Sequence, residues 1–222
     1  YTICAGQTLV NFKDFSYNGT VTSWTWSATN GATITTPNGS VTNVYFPNAG
    51  LSVVTLSAQN SFGIGSISRT VTVKSATPVT TNFIESFEGS GTPTDWSVDN
   101  VSGGVTWNQT SNAGSDGSFS FLMDGSVSTS LAEDVLYMPI MDFASNPGAI
   151  LTFDYAYRRK TTSWNDVFKV QLSNDCGGSW KDVYAPSAAV MASGSGGVGT
   201  TNFIPVASEW KNQDRKSTRL NS

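Results

Sequence analysis

Short apolar–polar alternations recur along the whole chain, and turn signals bound most of them. Val10 and Phe12 alternate with polar neighbours, and Trp24 and Trp26 share one face of Ser-Trp-Thr-Trp-Ser-Ala. Val44 with Phe46, then Val54, Leu56 and Ala58, then Val71 with Val73 repeat the pattern. A period of two puts alternate side chains on opposite faces of an extended strand, one face dry and the other wet. Asn18-Gly19, Asn30-Gly31, Pro37-Asn38-Gly39, Asn48-Ala49-Gly50 and Phe62-Gly63 punctuate these runs, as the left-handed positions of tight turns require. Further along, alternation predicts strands over 83–87, 105–109, 118–123, 135–140, 149–157, 167–173 and 180–184. The clearest is Leu151, Phe153, Tyr155 and Tyr157 against Thr152, Asp154 and Ala156.

The pattern predicts an all-β chain of two domains. Several short strands in residues 1–75 point to an immunoglobulin-like sandwich. Residues 76–82, Ala-Thr-Pro-Val-Thr-Thr-Asn, read as an extended connector. Residues 83–212 read as a second β-sandwich, with the glycine-rich run 193–199 as a flexible loop. Residues 213–222 carry no β pattern. Arg215 to Ser222, Arg-Lys-Ser-Thr-Arg-Leu-Asn-Ser, resembles a translated sequencing adapter and is expected to be non-native. The closing strands of the second domain are then expected to be missing. With no signal peptide at the start, Tyr1 is expected to be an internal cut in a longer chain.

Composition narrows the function more by exclusion than by motif. The 222 residues contain no histidine, which excludes Ser-His-Asp and Cys-His catalysis and most zinc sites within the segment. Cys4 and Cys176 are far apart, so neither a redox pair nor a metal knuckle is present. They bond to each other, or each bonds a partner elsewhere. Charge is uneven: residues 83–212 hold fourteen acids against six bases, a net of −8. That surface repels nucleic acid and anionic membranes. No run of eighteen apolar residues exists, so insertion into a membrane is not expected.

Residues 1–75 resemble a PKD domain, an immunoglobulin-like repeat. The matching stretches are Val10-Asn11-Phe12-Lys13-Asp14-Phe15-Ser16, Ser23-Trp24-Thr25-Trp26, the run from Phe46-Pro47-Asn48-Ala49-Gly50 to Leu56, and Ala58-Gln59-Asn60-Ser61-Phe62-Gly63. The family's acidic W-D-F-G-D-G is replaced by Trp26-Ser27-Ala28-Thr29-Asn30-Gly31, so a cation role for that loop is not carried over. The resemblance implies a spacer or interaction module. Residues 83–212 resemble the jelly-roll modules related to MAM domains and to the cleaved-adhesin domains of secreted Bacteroidetes proteins. The motifs are Ser86-Phe87-Glu88-Gly89, Pro93 with Trp96, Gly117-Ser118-Phe119-Ser120, Leu151-Thr152-Phe153-Asp154-Tyr155-Ala156 and Ser173-Asn174-Asp175-Cys176-Gly177-Gly178-Ser179-Trp180.

Two candidate sites follow. The jelly-roll resemblance implies a structural Ca²⁺ near the chain entry, with Glu88, Asp124 and Asp166 as ligands, since calcium takes six to eight oxygens. The other reading is that each is a solvated strand-end carboxylate. The Arg158-Arg159-Lys160 loop with Trp164 has the chemistry to grip a glycan or anionic ligand, because tryptophan stacks on sugar faces and arginine pairs with carboxylates. The favoured alternative is a solvated hairpin loop whose tryptophan packs on its own strands. Nothing shows paired carboxylates facing a cleft, so no glycosidase is expected.

The order of the two modules resembles the C-terminal accessory region of secreted pappalysin-type zinc metallopeptidases of Bacteroidetes. That resemblance implies a non-catalytic, secreted or cell-surface segment, which spaces a catalytic unit and contacts protein or glycan. The alternative is an adhesin or carbohydrate-binding protein with no peptidase.

Overall fold

A computed structural model describes residues 2–6, 9–80, 82–101, 103–126, 133–145, 148–194, 198–199 and 202–216. The chain is all-β and divides into two compact units, Tyr1–Pro78 and Val79–Ser222.

The first unit is an immunoglobulin-like sandwich. Its strands are β1 (Thr2–Cys4), β2 (Leu9–Lys13), β3 (Ser23–Ala28), β4 (Thr33–Ile34), β5 (Val41–Tyr45), β6 (Gly50–Asn60) and β7 (Gly63–Lys74). One sheet runs β1-β7-β6-β3 and the other β2-β5-β4. All pairs are antiparallel except β1 with β7. Alternation fixes the register, because a one-residue slip would turn the buried face to water. Trp26, Val54, Leu56, Val71 and Val73 from one sheet meet Val44 and the adjoining Phe46 from the other in a single core. Each such side chain, fully buried, contributes about 1.5–3 kcal/mol. Trp26 also satisfies its indole, donating Nε1–H to the carbonyl of Gly39 at 2.8 Å.

Turn chemistry closes the sandwich. Asn30 and Gly31 both take positive φ, 56° and 72°, the conformation that Asn-Gly adopts most readily. The Asn48 amide packs so closely that a β-carbon on Gly31 would lie 2.6 Å from its Nδ2. Asn48 Nδ2 donates to Asn30 O at 3.1 Å, and Asn30 Nδ2 returns bonds to the carbonyls of Asn48 and Ala49.

In the second unit the strands are β8 (Ser97–Asn100), β9 (Asn108–Thr110), β10 (Ser120–Leu122), β11 (Asp134–Tyr137), β12 (Ile150–Tyr155), β13 (Val170–Leu172), β14 (Lys181–Tyr184) and β15 (Lys211–Lys216), with a short helix α1 at Ala188–Met191. They form antiparallel pairs: β8 with β11, β9 with β10, β12 with β15, and β13 with β14. Aromatic clusters join them. Phe153, Tyr155, Phe168 and Tyr184 lie with ring centroids 5.7–6.3 Å apart. Phe87 sits 5.3 Å from Trp96 and 5.0 Å from Phe121.

Three expectations are corrected. Residues 83–87 form no strand: Phe87 takes φ 64°, and its N–H donates to Glu85 Oε1 at 2.6 Å, closing a turn instead. Residues 213–216, expected to lack β structure, continue β15, where Gln213 opposes Phe153 and Lys216 opposes Ile150. The backbone ladder makes this strand without help from apolar alternation, and Asn212 Nδ2 adds a 2.7 Å bond to Asp154 Oδ1. Residues 217–222 of the expected tail lie outside the described residues. Within the expected connector, Val79 is docked: its N–H donates to Ile140 O at 2.7 Å, and its carbonyl accepts from Asp142 N at 3.0 Å.

Candidate functional site

The basic loop follows directly from β12. Beyond Tyr155 the chain is held by 193–194: Ser193 N–H donates to Tyr157 O at 2.9 Å, and Tyr157 N–H donates to Ser193 Oγ at 3.0 Å. Gly199 N–H donates to Arg159 O at 2.9 Å. The described ends of the run 193–199 thus carry hydrogen bonds to Tyr157 and Arg159. Its middle, 195–197, lies outside the described residues.

The side chains of the loop are then used inside the unit. Arg158 lies over the ring of Phe203, 5.0 Å from its centroid. Gly199 makes room for it: a β-carbon there would lie 2.9 Å from Arg158 Cζ. Arg159 donates Nε–H to Trp164 O at 2.9 Å and also bonds Thr162 O and Asn165 Oδ1, so its planar fork ties the loop to itself. Lys160 covers Trp164 at 5.0 Å from the ring centroid, leaving the tryptophan 37% exposed. Tyr157 donates its hydroxyl to Asp166 Oδ2 at 2.6 Å. Burial, reinforced by that carboxylate, pushes the phenol well above its ordinary range. Lys160 covers one face of the Trp164 ring, and a ligand stacking on that face would have to displace the lysine.

The three carboxylates expected to hold calcium each hold a different turn. Glu88 Oε1 accepts the N–H groups of Ser118 and Phe119 at 2.9 and 2.8 Å. Gly117 permits this approach, because its β-carbon would lie 2.5 Å from that oxygen. Asp124 accepts from Ser126 N and Oγ at 3.0 and 2.5 Å, and Asp166 accepts from Tyr157. Among the described residues no group of three or more His, Cys, Asp or Glu converges on one point, so this arrangement does not assemble Glu88, Asp124 and Asp166 into one metal site.

Sequence reasoning passed over two residues that organise these loops. Gln109 Nε2 donates to the carbonyls of Phe87 and Gly89, while its Oε1 accepts from Gly91 N at 2.8 Å. Phe203 supplies the platform for Arg158. No local signal marks either role, since the partners are distant in sequence. Asp175 was more legible, sitting at the centre of Ser-Asn-Asp-Cys-Gly-Gly-Ser-Trp. Its carboxylate accepts from Ser179 Oγ and N at 2.7 and 2.8 Å and from Ser173 Oγ at 2.7 Å. Ser179, then Ser173, draws its pKa from 3.8 down to about 2. Cys176 and Gly177 follow with φ 56° and 88°, turning the chain from β13 to β14. Neither cysteine of the chain is a free thiol.

One cavity, of about 510 Å³, opens among Val79, Phe83, Glu85, Pro93, Asp95 and Pro139. Glu85 already spends one oxygen on Phe87 N–H. Among the described residues no helix is long and apolar enough to cross a membrane.

No protein-family model matches the chain, and no curated protein matches it. Among solved structures, the solution structure of the PKD domain from KIAA 1837 protein is similar, at 21% identity with a TM-score of 0.31. The match covers 35% of this chain and 83% of that one. The sandwich assignment for the first unit rests on its own strand pairing and core.

Proposed function

We propose that this chain is a tandem of non-catalytic extracellular β-modules: a PKD-like sandwich followed by a jelly-roll module of the MAM or cleaved-adhesin kind. In this reading they belong to a secreted or cell-surface zinc metallopeptidase. They space its catalytic unit and contact the protein or glycan it works on. The supporting observation is how the polar side chains of the second unit are used. Glu88 and Gln109 tie backbone groups of separate loops, and Arg159 and Asp175 brace the loops they belong to. Side chains committed in this way stiffen a scaffold, as a spacer or presenting module needs.

The coding sequence flanking this segment tests the reading. An upstream H-E-x-x-H-x-x-G-x-x-H, which places two zinc-binding histidines on one helix face, is the expected result. Upstream sequence made only of further β-repeats overturns the peptidase reading in favour of an adhesin.

A further inference from the structure

Asn-Gly occurs three times in the chain, at 18–19, 30–31 and 38–39. All three lie between strands of the first unit: β2 and β3, β3 and β4, and β4 and β5. The pair is chemically reactive, because glycine carries no side chain to keep its own nitrogen away from the carboxamide carbon before it. What separates the three is how the fold holds each carboxamide. Asn30 Nδ2 donates to the carbonyls of Asn48 and Ala49 at 3.2 Å each, and Asn48 Nδ2 donates back to Asn30 O at 3.1 Å. The Asn48 amide also packs closely on Gly31. Asn18 and Asn38 are exposed, and among the described residues neither carboxamide makes a hydrogen bond. Gly39 N–H reaches Thr36 O only at 3.5 Å, past the usual limit of about 3.2 Å.

We propose that Asn18 and Asn38 are sites of spontaneous deamidation and that the fold protects Asn30 from the same reaction. The glycine N–H gives its proton to solvent base, and its nitrogen bonds the carboxamide carbon. The bond from that carbon to the amide nitrogen breaks, ammonia leaves, and a succinimide closes. Water then opens either carbonyl of the succinimide, leaving aspartate or isoaspartate. At Asn30 the two side-chain bonds must break before the carboxamide can turn toward Gly31. Two such bonds slow the reaction by about tenfold or more.

The products matter differently at the two sites. Isoaspartate at 38 adds a methylene to the main chain just before Gly39. Gly39 O accepts the indole N–H of the buried Trp26 at 2.8 Å, and Ser40 O accepts from Asp14 N at 2.8 Å. That product therefore loosens the first core. At 18 the neighbouring carbonyl, Asn18 O, accepts from Asn60 Nδ2, which ties the β2–β3 loop to the β6–β7 turn. Charge changes at both. In residues 1–78 the charged side chains are Lys13, Arg69 and Lys74 against Asp14, a net of +2. Each new carboxylate is ionised at neutral pH, so two conversions bring that net to zero. The inference is independent of the function proposed above.

Incubation of the whole chain in mildly alkaline buffer at physiological temperature, with peptide mapping by mass spectrometry over time, tests it. Asn18 and Asn38 are expected to exchange an amino group for a hydroxyl at least about tenfold faster than Asn30, with isoaspartate among the products. In denaturant, where the turn around Asn30 is lost, the three sites are expected to react at similar rates. A folded chain in which Asn30 keeps pace with Asn18 and Asn38 overturns the inference. So does a folded chain in which Asn18 and Asn38 stay intact while the denatured chain reacts, and so does an Asn30 that remains tenfold slower in denaturant.

Discussion

Replacing Arg159 by alanine separates a structural role for the basic loop from a ligand-binding one. The guanidinium bonds Trp164 O, Thr162 O and Asn165 Oδ1, all within the loop it belongs to. A protein hydrogen bond contributes about 0.5–1.5 kcal/mol net, and partial exposure places these at the lower end. Losing the set therefore costs about 1–2 kcal/mol of local stability. Because 1–2 kcal/mol is a factor of about 5–30 in an equilibrium, the amides of 161–165 should exchange about 5–30 times faster in Arg159→Ala. The cost falls on local opening, so the melting temperature should move little. Arg159→Lys should recover only part of the protection, since an ammonium lacks the planar fork that reaches several carbonyls at once. Hydrogen exchange read by NMR or mass spectrometry gives both numbers. Unchanged exchange in 161–165, together with lost binding to a glycan panel, would refute the reasoning and return the arginine to a ligand-binding role.

Other perturbations bear on the same account. Phe46 is 2% exposed at the centre of the first core, so Phe46→Ala should cost about 3–5 kcal/mol by chemical denaturation; a loss under 1 kcal/mol would contradict the packing. Gly31→Ala forces a side chain into φ 72° against Asn48 and should lower the melting temperature of the first unit, whereas Gly65→Ala, with open space around it, should not. The Asp175 carboxyl lies below its ordinary 3.8, at about 2. Its stabilisation is therefore full above the unfolded value and is lost as pH falls through the folded one. Asp175→Asn should flatten the stability–pH curve between about 4 and about 2, and an identical acid limb in both proteins would discount the turn. Melting with and without a chelator tests the expected structural calcium, and an unchanged melting temperature would count against it. A drop of several degrees would show a bound structural ion.

The first unit was legible because period-two alternation and core burial coincide there. Val10, Trp26, Val44, Val54, Leu56, Val71 and Val73 all point inward where the alternation puts them. β1 and β4 escaped notice because two or three residues carry too little pattern. In the second unit the alternation misled at both ends. Phe83–Phe87 alternates, yet the left-handed Phe87 breaks the extension. β15, Lys-Asn-Gln-Asp-Arg-Lys, alternates nothing, because its place is set by a backbone ladder with β12. β8 hid for the same reason, as Ser97–Asn100 owes its place to β11. For the candidate sites, residue types were visible and partners were not. Arginines beside a tryptophan look like a binding loop until Phe203 and Gly199, far downstream, are seen to enclose Arg158.

On the proposed reading of the parent as a peptidase, the most direct test is to excise residues 1–216, which keeps β15 whole with its partner β12, and compare turnover of a small soluble peptide with turnover of a macromolecular substrate. An accessory role predicts unchanged hydrolysis of the peptide and a marked loss on the macromolecule. Loss of peptide hydrolysis as well, in a parent that remains folded, would place part of the catalytic machinery in this segment and contradict the account.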